Sequence, residues 1–138
     1  MPEKRTIEKA REDLREGKSP TTAAGEFVHE EIDHIREGKH GARSTKQAIA
    51  IGLSKARRAG IPLKPPAKGR TSRRTRRSAQ RAYEVGQKKR KPRSPSRKRG
   101  RATSRALRRE GRRAASRSAL SRQARSAARR RRSTRSRR

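Results

Sequence analysis

The chain has 138 residues, of which 45 are Lys or Arg and 12 are Asp or Glu, so its formal net charge is +33. An isolated compact chain with this charge repels itself, and the composition therefore indicates a polyanionic partner. The absence of cysteine excludes disulfides and thiolate metal sites, and no apolar run approaches the roughly 20 residues of a membrane-spanning helix. We expect no membrane partner and a cytoplasmic location.

Two amphipathic helices are predicted first. In the first, over residues 2–16, apolar residues recur at helical spacing, and Gly17 supplies a left-handed stop. In the second, Ser19 is the expected N-cap, Pro20 the first helical residue and Gly38 the stop. The face of this second helix that is expected to enter the core consists of Ala24, Phe27, Val28, Ile32 and Ile35.

A third helix is predicted in the stretch STKQAIAIGLSKARRAG. Ser44 and Gln47 have the spacing of a capping box, and Gly60 before Ile61 and Pro62 fits a Schellman ending. One side of this helix carries small residues that let another helix approach closely: Ala48, Gly52 and Ala56. We expect the second and third helices to form a hairpin whose turn is GKHGAR.

Charge divides the chain into two parts. Residues 1–63 hold 13 basic and 10 acidic side chains, whereas residues 64–138 hold 32 basic and 2 acidic ones. We predict a mainly α protein: a small helical head formed by the hairpin and the N-terminal helix, a Pro/Gly linker at 64–70, and an Arg/Ser/Ala-rich tail at 71–138. The tail is expected to be disordered, or helical once its charges are neutralised, with Thr71 capping a short helix.

Residues 30–60, EEIDHIREGKHGARSTKQAIAIGLSKARRAG, resemble a family of short, basic bacterial proteins of unknown function. Its members pair a short acidic helix, ending in a Gly-Lys turn, with a Lys-Gln-Ala-Ile-Ala-Ile-Ala/Gly-Leu-Ser helix. Gly38 and Lys39 match the turn, and residues 46–54 match the helix. The resemblance implies bacterial origin and small size, and it brings no established activity.

Two short motifs in the tail resemble known DNA-binding segments. RKRGRA, at 97–102, is similar to the AT-hook, whose Arg-Gly-Arg core lies along the narrow minor groove of A·T-rich DNA. Gly100 has no side chain to collide with the groove floor, while Ala102 stands where that family has proline. SPSR, at 94–97, resembles the Ser-Pro-x-basic units of linker-histone tails.

Catalytic and metal-binding patterns are weak. His29 and His34, in HEEIDH, are five residues apart, which places them about 140° apart around a helix rather than on one metal-facing side. The serines have no nucleophile-elbow context. We therefore expect no enzyme activity, no metal, no cofactor and no small-molecule substrate.

The residues from 99 to 138 include 17 arginines and no lysine. Because the planar guanidinium pairs with phosphate through two hydrogen bonds, we predict sequence-nonspecific nucleic-acid binding by a histone-like, nucleoid-associated DNA-binding protein. One alternative is an RNA-binding or ribosome-associated protein. Another is a head that binds a protein partner, with a tail that only localises it. In the DNA-binding hypothesis, the head mediates self-association or another contact. The candidate nucleic-acid-binding residues are Arg97, Lys98, Arg99, Gly100, Arg101, Arg105, Arg108, Arg109, Arg112, Arg113, Arg129, Arg130, Arg131 and Arg132.

Overall fold

The computed structural model describes residues 2–94 and 96–136, and its regular secondary structure is helical. No β-strand occurs among these residues, so the predicted mainly α class is confirmed. None of the helices in this part of the chain is long and apolar enough to cross a membrane. The helices are α1 (Lys4–Arg15), α2 (Pro20–Arg36), α3 (Thr45–Arg58), α4 (Arg73–Gly86), α5 (Arg97–Arg109) and α6 (Arg117–Ser136), with one 3-10 turn at Arg113–Ala115.

The ends of α1 and α2 follow the predicted signals. The Thr22 N–H donates a hydrogen bond of 3.2 Å to Ser19 Oγ, which caps α2 as expected. Gly17 and Gly38 have φ angles of 83° and 79°, the left-handed conformation in which glycine ends a helix without a Cβ clash. The first two helices of the head are therefore confirmed, with α1 beginning two residues later and ending one residue earlier than predicted.

The caps of α3 and α4 lie in the connections before them. The Gln47 N–H donates to Ser44 Oγ at 3.2 Å, which confirms the N-cap predicted for α3. Thr71 was the expected cap of α4, and this prediction is wrong by one residue, because Ser72 Oγ accepts the Thr75 N–H at 3.2 Å. Either hydroxyl has the right chemistry, and the conformation of the preceding turn decides which one is used.

The chain forms two units, each assembled from two separate stretches of sequence. The first consists of the residues up to Glu31 together with Ile49–Ser96, and the second consists of Ile32–Ala48 together with the residues from Arg97 onwards. Residues 64–70 separate the near-neutral part of the chain from the basic part. The packing follows other boundaries, because α4 belongs to the basic tail and yet folds within the first unit.

The core of the first unit lies between α1, α2 and α3. Gly52 of α3 faces the backbone of α2, and a Cβ there would lie 2.7 Å from Val28 Cα, so only glycine permits this approach. This close crossing confirms the predicted hairpin and the role of the small residues in it. The buried apolar cluster comprises Ala10, Ala23, Ala24, Phe27, Ala56 and Ile61.

The basic helix α4 packs against the end of α3. Its last residue, Gly86, lies so close to the backbone that an added Cβ would overlap the Arg57 carbonyl oxygen. Gln87 Nε2 donates a hydrogen bond of 3.1 Å to the Gly60 carbonyl oxygen. Ala79 and Ala82 of α4 are buried, so the alanine side of this helix completes the first unit while its arginines remain exposed.

The second unit joins the turn between α2 and α3 to the connection between α5 and α6. The Gly41 N–H donates to the Leu107 carbonyl oxygen at 2.8 Å, and the Ala42 N–H donates to the Gly111 carbonyl oxygen at 3.2 Å. An added Cβ at Gly41 would overlap the Glu110 carbonyl oxygen. The buried apolar residues here are Ile32, Ile35, Ala42, Ala48, Ala114 and Ala115.

Candidate nucleic-acid interface

All the predicted nucleic-acid-binding residues lie in the second unit, on α5, on α6 or in the connection between them. Every basic member of the set is exposed, and Gly100 is half-buried. The described stretch 96–136 contains a single acidic residue, Glu110, so the positive charge is not balanced locally. The structure therefore leaves these cations on the surface of one unit.

The basic side chains of α5 share one side of the helix. At 100° per residue, six of its seven basic residues fall within an arc of about 120°. Arg99 lies outside that arc, and the alanines and Leu107 follow the other side of the helix. The arc consists of Arg97, Lys98, Arg101, Arg105, Arg108 and Arg109.

The helix α6 repeats this arrangement with a wider arc. Six of its eight arginines fall within about 140°, and Arg130 and Arg131 lie outside. Ala119, Leu120 and Ala127 lie on the remaining side and are partly buried. The basic arc of α6 consists of Arg117, Arg122, Arg125, Arg129, Arg132 and Arg135. Sequence reasoning missed four of these residues because it selected clusters of adjacent arginines, whereas helical spacing would have identified them.

The segment that resembles the AT-hook is helical in this structure. Residues 97–101 form the first turn of α5, and Gly100 lies inside the helix with no heavy atom within 4 Å of the position of an added Cβ. An AT-hook core lies extended along the minor groove. Binding in that mode would therefore require the first turn of α5 to unfold.

One predicted phosphate-binding arginine has a structural role. Arg112 Nη1 donates to the Arg36 carbonyl oxygen at 3.4 Å, and the Arg112 guanidinium lies against Gly38. Arg36 Nε in turn donates to the Ala115 carbonyl oxygen at 3.0 Å. The hydrogen bonds of these two side chains join the end of α2 to the connection before α6. Arg112 is therefore less available to a ligand than the arginines of the two arcs.

Several cations of the first unit are also engaged in folding. Lys55 Nζ forms an ion pair with the fully buried carboxylate of Glu31. Arg57 donates hydrogen bonds to the carbonyl oxygens of Leu63 and Lys64, at 3.2 and 3.3 Å, and its burial lowers the pKa of its guanidinium. The contacts of Arg57 hold the chain that leaves α3, and the ion pair of Lys55 joins α3 to α2. These two cations therefore serve the fold, whereas the arginines of α4 remain exposed.

Sequence reasoning missed a cavity in the second unit. Its volume is about 430 Å³, and its wall is formed by the start of α3, the 3-10 turn and one face of α6. Of the four cations around it, Arg113 was predicted as a binding residue, while Arg43, Lys46 and Arg122 were not. The capping box at Ser44 marked a helix N-terminus in the sequence, but nothing in the sequence indicated that α6 would lie beside it.

The residues that the structure describes form helices, and α5 and α6 carry arginine-rich faces. Residues 4–69 match the model of DUF6496, a family of unknown function. The match covers α1, α2 and α3, and it is consistent with the resemblance of residues 30–60 to an uncharacterised family. No curated protein and no solved structure matches the chain. The arginine-rich helices α5 and α6 lie outside the matched region.

Proposed function

We propose that the protein binds nucleic acid without sequence specificity, as a histone-like, nucleoid-associated DNA-binding protein with no catalytic role. The observation that carries this proposal is the concentration of exposed basic residues into one arc on α5 and one arc on α6. Guanidinium groups bind phosphate oxygens through paired, charge-assisted hydrogen bonds, so such faces suit a phosphate backbone.

The dimensions of α6 suit contact with a duplex. Its 20 residues span about 30 Å at 1.5 Å per residue. Duplex DNA carries one phosphate charge per about 1.7 Å of its axis, so a helix of that length can reach several phosphates. Phosphate contacts position a protein on nucleic acid but carry no sequence information directly, which supports nonspecific binding.

The second unit has no Phe, Tyr or Trp for unstacked bases, which leaves stacking there to histidine and arginine. The stretch 96–136 contains no Phe, Tyr or Trp. Proteins that bind single-stranded nucleic acid, including most sequence-specific RNA-binding proteins, stack bases on such side chains. This composition favours a double-stranded partner over a single-stranded one, and the proposed partner is duplex DNA.

Two charge-matched variants of the full-length protein test whether the helical faces bind. Arg125→Ala with Arg129→Ala removes two arginines from the basic arc of α6, whereas Arg130→Ala with Arg131→Ala removes two from outside it. Because nonspecific affinity comes mainly from phosphate contacts, the first variant should lose on the order of tenfold in affinity for a duplex. The second should lose threefold or less. Fluorescence anisotropy with a labelled duplex measures both losses.

Equal losses in the two variants would show that the tail acts as a simple polycation, and would overturn the role of the helical faces. The identity of the nucleic acid is tested separately, by crosslinking in cells followed by sequencing of the bound DNA and RNA. Recovery of mainly DNA supports the proposal. Recovery of mainly RNA would replace it with the RNA-binding alternative.

A further inference from the structure

The cavity of the second unit is surrounded by basic side chains from three separate segments. Arg43 and Lys46 flank the start of α3, Arg113 begins the 3-10 turn, and Arg122 belongs to α6. All four are exposed, so their charged groups can reach a ligand in the cavity. The four cations come together only in the folded unit, because Lys46 and Arg113 are far apart in sequence.

Hydrogen bonds fix the wall of this cavity. Thr45 is 8% exposed, and its Oγ1 donates to the Ala114 carbonyl oxygen at 2.6 Å. At the start of α6, Ser116 Oγ accepts the Ala119 N–H at 3.2 Å, which caps that helix beside the cavity. Thr45 thus attaches the start of α3 to the 3-10 turn. The Ser116 N–H donates to the Arg113 carbonyl oxygen at 3.1 Å, which attaches the start of α6 to the same turn, so the cations are displayed on a defined surface.

Among the residues that the structure describes, the charge around the cavity has no acidic counter-charge. No acidic residue lines the cavity. Within 2–94 and 96–136, none of its four cations forms an ion pair. The positive end of the α3 dipole adds to the same field, because Ser44 and Thr45 at the start of that helix are also part of the wall. Four cations and a helix N-terminus around one cavity favour a ligand with several negative charges.

We propose that this cavity binds a linear oligophosphate. Its volume of about 430 Å³ exceeds that of a single phosphate group, and the cavity opens broadly to solvent, which suits a charged, hydrated ligand. A chain of three phosphates carries about four negative charges at neutral pH, which matches the four cations. The lining contains no aromatic side chain, and its uncharged polar groups are Ser44, Thr45, Gln123 and Ser126. The site therefore recognises the phosphate chain rather than a nucleobase. This proposal does not depend on nucleic-acid binding.

Titration calorimetry of the full-length protein with inorganic tripolyphosphate tests the assignment, in about 0.2 M salt to suppress diffuse attraction to the remaining charge. The binding isotherm of the wild type should contain a saturable high-affinity phase in which one tripolyphosphate binds per protein molecule. Lys46→Ala with Arg122→Ala should weaken that phase at least tenfold. The matched control removes an exposed lysine and an exposed arginine of the first unit, Lys4→Ala with Arg11→Ala, and should weaken it less than twofold.

A second pair of variants tests the site by adding charge instead of removing it. Ser126→Glu places a carboxylate on the cavity wall and should abolish the tight phase, whereas Ser121→Glu, on an exposed part of α6 outside the cavity, should preserve it. Far-UV circular dichroism verifies that all variants keep the wild-type helix content. A wild type without a saturable phase, or equal losses in site and control variants, would overturn the proposal.

Competition between ligands distinguishes the two sources of a phosphate chain. ATP should bind within threefold of tripolyphosphate, since no side chain of the cavity stacks on a base. ATP binding more than tenfold tighter would contradict recognition through phosphates alone. Because these assays contain no nucleic acid, the oligophosphate site and the proposed duplex-binding function can fail independently.

Discussion

Replacing Gly100 with alanine distinguishes a helical α5 from an extended minor-groove segment without changing any charge. Gly100 lies inside α5, and an alanine Cβ there would have no heavy atom within 4 Å. Glycine in a helix interior is less favourable than alanine by about 0.8–1 kcal/mol. The substitution should therefore stabilise the helical form of α5 by about that amount.

The effect on affinity follows from the state of α5 before binding. If α5 becomes helical only on the nucleic acid, a gain of about 1 kcal/mol raises affinity about fivefold. If α5 is already helical, the affinity stays the same. In the extended mode, by contrast, the new methyl group would meet the floor of the minor groove, and the affinity for A·T-rich duplex would fall. We expect unchanged or increased affinity, with no change in the ratio between A·T-rich and G·C-rich duplexes.

Anisotropy titrations of the full-length protein with A·T-rich and G·C-rich duplexes of equal length measure this effect. Gly25→Ala is the matched control, because Gly25 also lies inside a helix, α2, with no heavy atom within 4 Å of an added Cβ. A selective loss of A·T-rich binding in Gly100→Ala, with Gly25→Ala behaving as wild type, would refute the helical binding mode and support the AT-hook resemblance.

Two further predictions concern stability. Lys18 Nζ donates to Asp13 Oδ1 at 3.1 Å and thereby lowers the pKa of this carboxyl below its ordinary value of 3.8. Since the folded state favours the carboxylate, the resulting stability is fully present above pH 3.8 and is lost as the pH falls through the lowered pKa. Asp13→Asn should therefore flatten the acid side of a plot of urea midpoint against pH. An acid side that is unchanged in this variant would contradict the role of the Asp13–Lys18 pair. Gly41→Ala should cost about 1–3 kcal/mol, measured as a lower melting temperature, because the new Cβ overlaps the Glu110 carbonyl oxygen. Gly111→Ala, on the facing turn with open space around it, should melt close to wild type, and similar melting of the two variants would disprove the close approach.

The helices of the head could be predicted because their signals are local. A cap needs only a hydroxyl two or three residues before the N–H that it accepts, as in Ser19 and Ser44. Gly17 and Gly38 mark helix ends for an equally local reason, because both adopt the positive φ that glycine tolerates best. The lack of a side chain at Gly52 likewise indicated a close helix crossing before the partner helix was known.

The second unit could not be predicted because its contacts join residues distant in sequence. The hydrogen bond from Thr45 to the Ala114 carbonyl spans 69 residues, and the contact between Gly41 and Glu110 spans as many. No sequence pattern near Thr45 or Gly41 indicates either of these contacts. Most arginines of the tail are exposed, but their charge could not show that Arg122 lies beside Lys46 at one cavity.

The salt dependence of duplex binding tests the central claim most directly. On B-DNA, the negative slope of log K against log[salt] becomes shallower by about 0.9 for each phosphate contact that is removed. The wild type should show a steep negative slope, and Arg125→Ala with Arg129→Ala should make it shallower by about 1.8, while Arg130→Ala with Arg131→Ala changes it by less than about half as much. A wild-type slope near zero, or equal changes in the two variants, would contradict phosphate binding by the arginine faces of α5 and α6.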